Sequence, residues 1–104
     1  RPVRVSLNVL LTPAEWVRSQ ALLPDVEGFT VESVDAEEMS GFCEAENMLV
    51  AQYQQLHGRS PVVEVVHRIE ITGTTTLSDR DVTRAVVDSA FPEGKLWYGT
   101  TIAE

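Results

Sequence analysis

The chain has 104 residues, 43% of them hydrophobic and 23% charged, and its 16 acids against 8 bases leave a formal net charge of −8. That length suits one domain spanning residues 1–104, and the balance of apolar and polar residues excludes extended disorder. So acidic a surface repels phosphate backbones, which argues against direct nucleic-acid binding, and no apolar run approaches the roughly 20 residues of a membrane-crossing helix.

The charge is unevenly placed. Between Ser19 and Gly58 there is no Lys or Arg, while Asp25, Glu27, Glu32, Asp35, Glu37, Glu38, Glu44 and Glu46 supply half of the acids. The flanks are neutral, so the middle of the chain carries the whole net charge. A field of that shape steers cationic surfaces toward it.

Val3, Val5, Leu7, Val9 and Leu11 alternate with Arg4, Ser6, Asn8 and Leu10, which predicts a strand with one buried face. Thr12-Pro13-Ala14-Glu15 then reads as a capping box with Pro in the first helical turn, and Leu11 and Trp16 stand at the staple positions. The helix is expected to run to about Leu22 and stop before Pro24. A second strand, Phe29 to Val34, follows Gly28. Asp35-Ala36-Glu37-Glu38 repeats the capping pattern with Val34 and Met39 as its staple, predicting a long helix from Ala36 to about Leu56. Phe42, Ala45, Leu49, Tyr53 and Leu56 recur along it at helical spacing.

Val62 to Thr72 is rich in β-branched residues and alternates Val63, Val65, His67, Ile69 and Ile71 with Glu64, Val66, Arg68 and Glu70, the pattern of a third strand. Ser78 and Asp81, with Leu77 and Val82 as staple, predict a third helix through about Ala90, and Lys95 to Ala103 a last strand. The expected order is βαβαβαβ. Because the first and third strands alternate cleanly, the fold class is an α/β chain of the α+β two-layer type, a four-stranded mixed sheet with three helices on one face. The other face would carry Arg4, Ser6, Asn8, Glu32, Glu64, Arg68, Glu70 and Trp97.

Motifs for catalysis or cofactors are absent. The six glycines form no dinucleotide fingerprint or phosphate loop, and one Cys with two His ten residues apart builds no standard zinc site, so no cofactor or metal is expected. Cys43 lacks a cationic neighbour in sequence and reads as a small buried thiol. Its solitude suits a cytoplasmic setting. His67, pointing with apolar residues, reads as a core histidine; as a catalytic candidate its obvious companions are Tyr98 on the last strand or Cys43 on the long helix.

The leading expectation is a small non-enzymatic binding protein whose acidic face, Glu32, Asp35, Glu37, Glu38, Glu44 and Glu46, engages a basic protein surface, as an inhibitor, an immunity or antitoxin-type partner or a nucleic-acid mimic would. Against it stands the ordinary role of surface carboxylates as solubilising groups. Two alternatives come from other classes. One is a small enzyme with a pocket using His67 and Tyr98. The other is an assembly subunit that forms a homodimer through its open sheet face or an edge strand.

Overall fold

The computed structural model describes residues 1–39, 44–59, 64–91 and 94–104, with the backbone alone described at 39, 44–48 and 50. The elements in chain order are β1 (Pro2–Leu11), α1 (Pro13–Leu22), a 3₁₀ turn (Leu23–Asp25), β2 (Phe29–Met39), α2 (Glu44–His57), β3 (Val65–Thr75), α3 (Asp79–Ala90) and β4 (Trp97–Ala103). The four strands form one sheet in the order β2-β3-β1-β4. Its class is α+β.

Every neighbouring pair is antiparallel, which corrects the expected mixed sheet. The helical connections do join parallel strands, β1 to β2 and β3 to β4, but each leaves one place vacant for an antiparallel strand. β3 fills the first and β1 the second. This is the split βαβ connectivity, β-α-β-β-α-β, with α2 spliced into the β2–β3 link.

Alternation along β1 buries Val3, Val5, Leu7, Val9 and Leu11 on one face, and the register Val9↔His67, Leu7↔Ile69 and Val5↔Ile71 places the buried side chains of β3 beside them. α3 covers them with Val82, Val86, Val87 and Ala90, spaced at helical period, and α1 adds Trp16, stacked on Phe91 with ring centroids 6.4 Å apart. The third helix departs from expectation. Leu49 and Tyr53 of α2 are buried against Leu10 and Val66, which belong to the opposite face of the sheet. Two helices therefore cover one face and the third covers one end of the other. The polar middle of that second face, with Arg4, Ser6, Asn8, Arg68 and Glu70, stays open.

Local chemistry explains two of the helix starts. Thr12 Oγ1 accepts the Glu15 N–H, Glu15 Oε1 accepts the Thr12 N–H, and Pro13 occupies the first helical position. The other oxygen of Glu15 meets Lys95 Nζ at 2.7 Å, so one carboxylate both caps α1 and ties it to the segment entering β4. Partial burial pushes this carboxyl up, but the bonds from Lys95 and Thr12 outweigh it and hold Glu15 below its ordinary value. At α3, Ser78 Oγ accepts the Asp81 N–H. The return bond that makes the first box reciprocal is not formed here.

The box expected at Asp35–Glu38 does not exist. β2 continues through these residues to Met39, paired with β3 from Phe29↔Thr75 to Met39↔Val66. A bulge between Val31 and Ser33 adds Glu32 to the strand and shifts its alternation by one, so Val31 and Val34 both pack against the core. With these residues in a strand, no helix starts at Asp35, and the Val34 and Met39 staple has nothing to clamp. Gly41, Phe42 and Cys43 lie outside the described residues, as do Val62, Val63 and the side chain of Ala45. β3 starts at Val65 and extends to Thr75, beyond the expected Thr72, and β4 begins at Trp97 instead of Lys95.

Candidate binding surface

β2 forms one edge of the sheet, and Glu32, Asp35, Glu37 and Glu38 are all exposed along it. Pairing sets their surroundings. Asp35 stands opposite Glu70 and Glu37 opposite Arg68 on the open face, and Glu38 stands opposite His67 on the helix-covered face. A shallow depression of 420 Å³ is lined by Asp35, Ala36, Glu37, Arg68 and Glu70. Arg68 is the single base among three carboxylates there, and it makes no ion pair among the described residues. The edge is therefore negative along its length, with one cation set into its open-face side.

Of the six acids expected to form the binding face, the structure brings four onto this edge. Glu44 and Glu46 lie in the first turn of α2, their side chains outside the described residues. Glu32 sits in the bulge and not in the regular open face, while Glu64 precedes β3. Trp97 pairs with Val9 and packs on the helix-covered core, so the aromatic residue on the open face is Tyr98.

His67 is 1% exposed. Its Nδ1 donates to the Val65 carbonyl at 2.9 Å, and Trp16 lies over it with ring centroids 6.1 Å apart. Among the described residues its Nε2 has no hydrogen-bond partner; Oε1 of Glu38 is 3.8 Å away, beyond hydrogen-bond range. Tyr98 lies on the opposite face of the sheet, beside the α2 cluster. A four-stranded sheet separates the two side chains, so they share no pocket. Among the described residues no group of three His, Cys, Asp or Glu could hold a metal ion, and no helix is long and apolar enough to cross a membrane.

A second surface was not anticipated. Between α3 and β4 runs a groove of 670 Å³ lined by Arg80, Thr83, Arg84, Trp97, Gly99 and Thr101, among others, and Arg84 and Trp97 continue into a neighbouring cleft of 440 Å³. Gly99 makes the room. A Cβ there would lie 2.2 Å from the Ser6 carbonyl oxygen, so only glycine lets β4 close on β1 at this point. The sequence signals were Arg80 and Arg84 at i and i+4, and a final strand without charge.

The chain matches no protein-family model, no curated protein and no solved structure.

Proposed function

We propose that the chain is a non-enzymatic cytoplasmic binding protein whose acidic β2 edge engages a basic protein surface. The observation that carries this reading is the placement of Glu32, Asp35, Glu37 and Glu38, all exposed, on one free sheet edge. Charged edge strands also guard against indiscriminate pairing, and that role alone would account for one or two carboxylates. Four in seven positions, on a chain of net charge −8, produce a field strong enough to steer a cationic partner. His67 and Tyr98 stand on opposite faces of the sheet, an arrangement that lends no support to a pocket using both.

The test is capture of a basic partner from native extract on the immobilised chain, elution with salt, and kinetics with the purified partner. Replacing Glu32, Glu37 and Glu38 with Gln and Asp35 with Asn is expected to slow association about tenfold or more while changing residence time less. Unchanged association at low salt, with the variant folded by circular dichroism, would reduce the edge to a solubilising surface.

A further inference from the structure

The two free edges of the sheet differ in kind. β2 is guarded by carboxylates and a bulge, both of which discourage casual strand addition. β4 reads Trp-Tyr-Gly-Thr-Thr-Ile-Ala, carries no charge, and exposes Ile102 by 54%. Among the described residues no strand pairs with its outer side. An uncharged edge rich in β-forming residues is a ready template for another strand.

The backbone of that edge is oriented for pairing. Leu10 N–H donates to the Leu96 carbonyl and Glu104 N–H to that of Pro2, so even-numbered residues of β4 turn their N–H groups toward β1. By the alternation of an antiparallel ladder, Gly99, Thr101 and Ala103 turn theirs outward. The groove beside this edge is cationic. Arg80 makes no ion pair among the described residues, and Arg84 reaches Asp88 only at 3.7 Å, with both side chains about two-thirds exposed. Asp79, which also lines the groove, is held by Arg1 at 2.8 Å.

Strand direction supplies the last step. β2 and β4 run in opposite directions, so a second copy placed beside the first in the same orientation brings its β2 against β4 antiparallel, as in every pairing within the sheet. The helix-covered faces stay on one side, where Glu38 and the two arginines both lie. We propose that β2 of one copy adds to the β4 edge of a second, with the acidic edge seated beside Arg80 and Arg84, so that the chain assembles head to tail. The proposal rests on the reading of β2 as a docking edge and names its partner. Such a contact is heterologous and builds a ring if it closes and a filament if it does not.

Sedimentation velocity tests it. At about 50 mM salt the parent is expected to exceed monomer mass increasingly with concentration, and at about 500 mM to return to monomer. Arg80→Glu with Arg84→Glu, and separately Glu32→Lys with Glu38→Lys, are each expected to yield monomers. An equimolar mixture of the two variants is expected to assemble again, since each presents the charge the other now lacks. Ala103→Pro, which deletes an outward N–H, should weaken assembly about tenfold or more without altering the circular dichroism spectrum. A parent that stays monomeric at low salt overturns the proposal, as does a mixture of folded variants that fails to assemble. If that monomeric parent still captures a basic partner through its four carboxylates, this inference falls and the reading of β2 stands.

Discussion

Glu15 joins two parts of the fold with one carboxylate, and Glu15→Gln separates its two tasks. The amide oxygen of Gln can still accept the Thr12 N–H, so the cap is kept and the charge opposite Lys95 is lost. Glu15 and Lys95 are 15% and 23% exposed and meet at 2.7 Å, a charge-assisted bond largely shielded from solvent. Bonds of that kind contribute about 1.5–3 kcal/mol, and a neutral amide keeps part of it, so the loss is expected to be about 1–2 kcal/mol. In a domain of this size each kcal/mol lowers Tm by about 4–8 °C. The assay is urea unfolding of parent and variant from neutral to acid pH. Because Glu15 lies below its ordinary value in the folded state, its contribution is present above the ordinary carboxylate range and lost as pH falls through the depressed value. The gap between parent and variant should therefore be widest at neutral pH and close in acid. A gap that persists unchanged in acid, or that is absent at pH 7, would refute the assignment.

Thr12→Ala and Ser78→Ala should each cost about 1 kcal/mol in denaturant unfolding, whereas Asp35→Ala, an exposed strand residue, should change stability by less than about 0.5 kcal/mol. Gly99→Ala sets a methyl group against the Ser6 carbonyl and Leu7, and should lower stability by about 3 kcal/mol or prevent folding, as read by thermal melting. Ser19 is 1% exposed in α1 and its hydroxyl has no partner among the described residues, so Ser19→Ala should raise stability by about 1 kcal/mol in the same assay.

What could be read from the chain was what neighbours in sequence decide. The Thr12–Glu15 box closes within four residues, and the alternation of β1 and β3 is set by one buried face, so both were legible. Asp35–Glu38 was misread because Asp-Ala-Glu-Glu also fits an edge strand with Val34, Ala36 and Glu38 on one side and Asp35 and Glu37 on the other. Only pairing with β3, some 30 positions away, chooses between the two, and the bulge at Glu32 had already broken the period-two signal. The position of α2 is nevertheless written in the sequence. Leu10 and Val66 are apolar residues on the polar side of their strands, and they are register partners, marking the end of the open face that needed cover. The excess of acid was legible as composition; the gathering of four of these carboxylates on a strand edge was not, because a charge count has no geometry.

The splicing of α2 into the β2–β3 link leaves the sheet without a tight hairpin. The two paired residues nearest in sequence, Met39 and Val66, are 27 positions apart, and Val3 and Ala103 are separated by nearly the whole chain. No ladder can zip from a two-residue turn, so each strand pair must close a long loop before its hydrogen bonds offset the lost chain entropy. Helices α1 and α3 can form locally and early, but the central strands must wait for distant partners. Folding should accordingly be slow for a chain this short, in the millisecond to second range of domains dominated by non-local pairing, with β3 the strand whose arrival commits both halves of the sheet.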